Sequence, residues 1–346
     1  MAKLAAPKRR DGKPLAGRVA VVAGATRGAG RGIARGLGEA GATVYCTGRS
    51  VRGNPSPYGR RETIDETAEL IAAAGGTAIP VRVDHTVESQ VAALFDRVQR
   101  DHGRLDVVAD SVAGEDPVLG PWTSLEDTDL TNAPRALEQS LLSHVITAKH
   151  AARVMARSPK ARGAARGLIV EVSEFDLFFG GGGNIIAALA KTGLKNLAVL
   201  LAEELRKHHI AAVSITPGYL RSESMLEGYG VTEANWRDGA KKDPNFLASE
   251  SPLFVGRAVA ALAGDPKVFE RTGQILSSWE LAREYGFTDE NGERPDWGKH
   301  GAEVVYPSLT WLREGIERQV EWLDALSARA KGYLSSSRTP SAALHP

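Results

Sequence analysis

The 346-residue chain has one cysteine, Cys46, so an internal disulfide framework is excluded and a reducing compartment fits. Lying within an apolar strand pattern, Cys46 reads as a small core residue rather than a nucleophile. An excess of one charge is also lacking. Lys+Arg 43 against Asp+Glu 42 leaves a formal +1, which points to neither nucleic acid nor a membrane surface as partner. No uninterrupted apolar run approaches the ~20 residues of a membrane span. The basic start, residues 1–14, lacks the apolar segment of a secretory signal and reads as a frayed tail. The cytoplasm is the expected compartment. There is no internal repeat, and no low-complexity tract beyond Gly180–Gly183. At 42% hydrophobic and 25% charged, the chain can bury the core of one α/β domain or somewhat more.

What the sequence does contain is a regular alternation of strand and helix patterns. Apolar runs at Arg18–Ala23, Thr43–Thr47, Ala78–Val83, Leu105–Ala109, Leu168–Val172 and Ala211–Thr216 read as strands. Helical patterns separate them at Arg31–Ala40, Glu62–Ala74, Val87–Asp101, Glu126–Ala156 (bent near Pro134) and Ile185–Lys207. This order predicts a Rossmann-type doubly wound parallel sheet of about seven strands, with helices on both faces. Glu223–Pro252 is polar and irregular and reads as a substrate lid, ahead of a helix near Leu253–Ala263 and a last strand near Gln274–Ser277. The nucleotide-binding and substrate domain then spans 15–281, and residues 282–346 form a helical C-terminal extension. Within it Leu309–Ala328 is amphipathic, with Trp311, Leu312, Ile316, Val320, Trp322 and Leu323 on one face.

Between the first strand and helix stands Gly24-Ala25-Thr26-Arg27-Gly28-Ala29-Gly30. Here a phosphate requires free backbone N–H groups and the positive end of a helix dipole, and a side chain would block its approach. Glycine-rich turns are common in α/β sheets; the position in the first β-α unit strengthens the signal.

With Asp84 after the third strand, LDVVADSVAG at 105–114, the lone Lys191 and TPGYLRSE at 216–223, this turn resembles the short-chain dehydrogenase/reductase family in order and spacing. The similarity runs from about Leu15 to Leu281. The ending QILSSWELAREYGF and the long tail look most like the subgroup containing the human short-chain dehydrogenase/reductase member 1 and its bacterial relatives. The resemblance implies a dinucleotide cofactor, a small-molecule substrate and a homodimer or homotetramer. It implies that Asp84 meets the adenine and that Lys191 holds the nicotinamide ribose. Thr26, Ala29, Ser50, His85, Ser111, Pro217, Gly218 and Leu220 would line the cofactor, and no metal is expected.

Cofactor choice follows from charge. NAD-preferring sheets carry an acidic residue at the end of the second strand, where this chain has Thr47-Gly48-Arg49-Ser50. Arg27 and Arg49 near a 2′-phosphate, with no carboxylate competing for the ribose, favour NADPH/NADP+.

The proton-transfer positions depart from the family. Four residues before Lys191, where the family has a tyrosine, stands Ala187; thirteen before that, in place of a serine, stands Glu174. Ala109-Asp110 replaces a pair of asparagines, and Ser140 falls at a further asparagine position. Ser173 is one residue out and faces the other way in a strand. Positioned proton transfer is worth ~10²–10⁴-fold in rate, so an ordinary carbonyl reduction is weakened. Three readings stand. One is hydride transfer to an iminium or hemiaminal carbon, with Glu174 assisting loss of hydroxide or stabilising the cation. The second is a cofactor-bound pseudoenzyme. The third is a reductase with a relocated acid, Tyr219 or Asp110. Phe175, Phe178, Phe179, Met225, Trp236 and Trp279 are candidates for the wall of an apolar pocket, or for core.

Overall fold

The computed structural model describes residues 13–55, 59–113, 123–159, 165–174 and 185–305. Seven parallel strands form one sheet in the order β3-β2-β1-β4-β5-β6-β7. They are β1 Val19–Ala23, β2 Thr43–Gly48, β3 Thr77–Arg82, β4 Val107–Asp110, β5 Gly167–Val172, β6 Ile210–Thr216 and β7 Ile275–Ser277. β1, β4, β5 and β6 are buried along their whole length, as strands covered on both faces must be. Pro80, which has no N–H to give, is tolerated because β3 lies at the sheet edge.

Alternate residues of each strand feed two cores. On one face Ala20, Val22, Val44, Cys46 and Val213 pack with α1 (Gly28–Glu39), α2 (Ile64–Ala73) and α8 (Pro252–Gly264). On the other, Val21, Tyr45, Val108 and Ala212 pack with α3 (Glu88–His102), α5 (Ser143–Met155) and the end of α6 (Ile185–Leu205). Burial pushes the Cys46 thiol up to about 12, so it is inert as a nucleophile. The segment Ile185–His208 is long and apolar enough to cross a membrane by length and composition; here α6 lies against β5 and β6.

α1 and α8 meet backbone to backbone. A Cβ on Gly32 would stand 1.7 Å from Pro252 O, one on Gly36 2.5 Å from Gly256 O, and one on Gly256 2.0 Å from Gly32 O.

Two expected elements differ. The single bent helix over Glu126–Ala156 is a 3₁₀ turn Leu125–Asp127, a short α4 Ala133–Leu137, a π turn Glu138–Leu142 and α5. Pro134 lies in the first turn of α4, the one helical place where its missing N–H costs nothing, so it starts a helix instead of bending one. Ser140 in the π turn and Ser143 at the start of α5 hydrogen-bond back to the carbonyls of Ala136 and Gln139, at 2.6 and 2.7 Å. The stretch Glu223–Pro252 is not irregular. It folds into α7 Glu223–Tyr229, capped by Ser222 and ended by left-handed Gly230, and two 3₁₀ segments, Glu233–Lys241 and Pro244–Ala248. Buried Phe246 and Trp236 give it a small core, with the Arg221 and Arg237 guanidinium groups 4.1 and 4.5 Å from the Trp236 ring. After β7 comes α9 Ser278–Tyr285. The chain divides into two compact units, Met1–Trp297 and Gly298–Pro346. The helix expected at Leu309–Ala328 lies outside the described residues.

Candidate active site

β1 and β4 are where the strand order reverses, and ligands of such sheets bind beyond the carboxyl ends of the strands there. The glycine turn leaves β1 at this point. Gly24, at φ +75°, lies so close to β4 that a Cβ would stand 2.6 Å from Ser111 O. A Cβ on Gly30 would stand 2.2 Å from Gly24 O. The Arg27 side chain does not cap α1, which leaves first-turn N–H groups for other acceptors. One has found an anion: Gly28 N–H donates to Glu223 Oε2 at 2.7 Å. A carboxylate thus rests where a dinucleotide's phosphates are expected, so the loop fits the group assigned to it.

At the end of β2, Arg49 Nη1 stands 4.0 Å from Asp84 Oδ2. Asp84 also accepts from Thr86 N–H and hydroxyl, at 3.0 and 2.7 Å. Arg27 interacts electrostatically with Glu62, Arg60, Glu223 and Arg49, and its own burial holds its pKa below the usual arginine value. One carboxylate does stand near these arginines. Glu62 is buried beside these arginines, with Arg60 Nη2 2.5 Å from its Oε1. Burial opposes the charge on Glu62, but the Arg60 hydrogen bonds outweigh it and hold its carboxyl below the ordinary range. Arg60 neutralises this carboxylate.

Of the other expected cofactor residues, Ser50 is buried, and its carbonyl accepts from Ile64 N–H at 3.1 Å. Ser111 N–H donates to Ala23 O at 3.0 Å. Leu220 forms a bridge with Glu250 beside the Pro217-Gly218 turn. His85 is corrected. Its ring is buried, with Nε2 2.8 Å from Thr47 Oγ1 and Nδ1 2.9 Å from Thr147 Oγ1, so neither nitrogen is free for a cofactor. Burial pushes it towards the neutral form.

Glu174 and Lys191 come together: Lys191 Nζ lies 3.4 Å from Glu174 Oε1 at the end of β5. The lysine side chain is 11% exposed and the glutamate 57%, so the carboxylate is the more solvent-accessible partner. Ala187, one turn earlier on α6, is buried with Ala133, Ala136 and Ile186. Ser173 donates its hydroxyl inward to Lys191 O at 2.9 Å.

The two relocated-acid candidates are engaged elsewhere. Tyr219 OH is 2.5 Å from Tyr229 OH and 3.1 Å from Asp243 Oδ2. Burial, then these partners, drive its pKa far above the ordinary phenol, the wrong direction for an acid at neutral pH. Asp110 is buried, its Oδ1 accepting from Val112 N–H at 3.0 Å and 3.4 Å from His144 Nε2. His144 Nδ1 is 2.6 Å from Glu171 Oε2. Burial disfavours charge on this imidazole, yet the two acids outweigh it and push it up to about 9. Glu171 is raised by burial in turn. His144 Nε2 donates to Val112 O at 2.9 Å, with Asp110 Oδ1 beside it at 3.4 Å, so both ring nitrogens are engaged. A carboxylate inside the apolar strand LIVEV was the available sign of this cluster.

Trp236 and Trp279 prove to be core, Met225 lies partly buried on α7, and Phe175, Phe178, Phe179 and Gly180–Gly183 fall outside the described residues.

Under the Pro217-Gly218 turn, Glu250 accepts from Gly218 N–H at 2.9 Å and from Ser278 hydroxyl at 2.6 Å. Burial pushes its carboxyl up to about 8. Because the folded-state value is raised, the native protein holds a proton the unfolded chain releases, and stability falls as pH rises between about 4.5 and about 8. The slope approaches ~1.4 kcal/mol per pH unit inside that window. Glu250→Gln fixes the neutral form, so the loss of melting temperature from pH 6 to pH 8.5 should be smaller in the variant. Parallel curves in a calorimetric pH series would remove Glu250 as the cause.

The profile of the family described as enoyl-(acyl carrier protein) reductase matches residues 24–277. The chain is 35% identical over 334 residues to the mouse (Mus musculus) dehydrogenase/reductase SDR family member 1, covering 90% of this chain and 97% of that protein. It is 32% identical over 266 residues to the cis-4-hydroxycyclohexanecarboxylate dehydrogenase of Sinomonas cyclohexanicum, covering 77% and 96%. Among solved structures, a candidate NAD(P) dependent gluconate 5-dehydrogenase from Beutenbergia cavernae, with NADP bound at low occupancy, superposes with TM-score 0.59 at 25% identity. That match covers 77% of this chain and 97% of the other. A seven-stranded doubly wound sheet, a glycine turn holding an anion at its switch point and relatives matched along nearly their full length lead to one conclusion: the chain is an oxidoreductase of the short-chain dehydrogenase/reductase family.

Proposed function

We propose that this protein is an NADPH-dependent reductase of an iminium or hemiaminal carbon in a bulky, alkaloid-type natural product, for example a tetrahydroisoquinoline antibiotic, serving its biosynthesis or its detoxification. The observation that carries the reading is the pair Glu174–Lys191 at 3.4 Å, with Ala187 one turn before the lysine. No hydroxyl stands at either position where a carbonyl reductase of this family keeps one, and Tyr219 and Asp110 are held by other partners.

Bound NADPH supplies a hydride. The chain's own groups then have two tasks. Lys191, largely buried on α6, orients the ribose side of the cleft and keeps Glu174 in place. Glu174 is the more solvent-accessible partner: protonated, it gives its proton to a departing hydroxyl, which leaves as water; ionised, it stabilises the iminium cation. Hydride addition to C=N⁺ yields a neutral amine, so no further proton donor is required. The guanidinium groups of Arg27 and Arg49, with Glu62 held by Arg60, support NADPH over NADH.

Exposed apolar side chains on neighbouring helices, Val145 on α5 and Leu189, Val199 and Leu200 on α6, support a homo-oligomer.

Deuteride from labelled NADPH should appear at the carbon that bore the hydroxyl when cyclic hemiaminals are supplied. Binding of NADPH with no label transfer across a broad hemiaminal and iminium panel would favour a cofactor-binding pseudoenzyme. Ready reduction of ordinary ring ketones would instead favour the chemistry named for the Sinomonas relative.

A further inference from the structure

Two glutamates of α7 reach onto the opposite wall of the cofactor cleft. Glu223 Oε2 accepts from Gly28 N–H at 2.7 Å, and its Oε1 lies 3.2 Å from Arg31 Nη1. Four residues on, and so on the same helix face, Glu227 Oε2 lies 2.6 Å from Arg60 Nη1. Gly28 belongs to the phosphate loop; Arg60 belongs to the field of Arg27 and Arg49. The two contacts therefore fall on the two kinds of donor that NADPH requires. We infer that Glu223 and Glu227 are anionic stand-ins for the cofactor's phosphates, so that α7 sets both affinity and selectivity for the dinucleotide. Glu223 occupies donors needed by the diphosphate common to NADPH and NADH. Glu227 occupies a donor available to the 2′-phosphate, which NADPH alone carries.

The charge balance fits an exchange. An entering diphosphate brings more negative charge to the same N–H and guanidinium groups than one carboxylate does, and two like charges do not share one donor. The contacts differ in strength. The Glu223 side chain is 25% exposed and the Glu227 side chain 72%, so the first competes better than the second.

The inference rests on the NADPH reading, and titration of full-length protein by cofactor fluorescence separates the two. Wild-type protein should bind NADPH at least tenfold tighter than NADH. Glu223→Gln should tighten both cofactors about fivefold and leave their ratio unchanged; Glu223→Ala should agree, which controls for local packing. Glu227→Gln should tighten NADPH two- to threefold and NADH hardly at all. Glutamate variants that bind no tighter than wild type overturn the α7 inference and leave the NADPH reading intact. Equal wild-type affinities for the two cofactors overturn the NADPH reading and the Glu227 half with it. Failure of wild type to bind either cofactor removes both.

Discussion

Alanine at position 30 should weaken dinucleotide binding a hundredfold or more, ~2.7 kcal/mol. The added Cβ would stand 2.2 Å from Gly24 O and 2.9 Å from Gly24 C, and both neighbours are backbone. No rotamer change relieves that contact. Only a shift of the turn does, and the turn is the surface that presents N–H groups to phosphate. Overpacking of this kind also costs ~1–3 kcal/mol of stability, so the melting temperature should fall by several degrees while the fold persists. Gly28→Ala is the control. Its Cβ would meet nothing closer than Ser222 Cβ at 3.6 Å, and the positive φ of 54° is its main penalty, so binding should suffer less. Fluorescence titration with NADPH, alongside circular dichroism melting, checks both. A Gly30→Ala protein that binds NADPH within threefold of wild type would show that the phosphates do not rest on this turn.

Glu174→Gln should lower kcat/KM for hemiaminals by about ten- to thirtyfold and for preformed iminium salts by about threefold or less. A carboxylate ~4 Å from a cation is worth about 1 kcal/mol in water and about 4 at an effective dielectric of 20. The Glu174 side chain is 57% exposed, so the lower part of that range applies. The attraction acts on formation of the cation and fades as hydride neutralises it. The amount of iminium responds, not the intrinsic rate of transfer. A substrate that arrives already ionised skips the step in which the carboxyl helps. Parallel initial-rate measurements on a hemiaminal and its iminium salt separate the two. Equal losses on both would mean that glutamine disturbs Lys191, which lies 3.4 Å away, rather than ionisation of the substrate.

The strands were legible because burial on both sheet faces demands unbroken apolar runs, and β5 and β6 came out within a residue of their expected bounds. The pairing of Glu174 with Lys191 was open from spacing alone. Hidden contacts were of another kind. Gly28 meets Glu223 across 195 residues, and His144 meets Glu171 across 27. No periodicity encodes such encounters, since they depend on which strand ends the topology makes neighbours. The segment around Trp236 misled for a related reason. Its polar composition suggested a loose loop, whereas two arginines stacked on one indole and the buried Phe246 ring organise it. Pro134 carried a true signal that was read the wrong way: it marked where a helix begins.

The glycine crossing of α1 and α8 has a mechanical meaning. Side chains between two helices act as springs, since rotamers absorb small displacements before the backbone feels them. At Gly32, Gly36 and Gly256 there are none, and main chain rests on main chain. Gly32 lies two residues past the phosphate loop, and Pro252, which it touches, follows the Glu250–Ser251 stretch that props the Pro217-Gly218 turn and ties down Asp289. Loop and turn are thus linked through a contact with no side chain between its two backbones, where a displacement has no rotamer to absorb it.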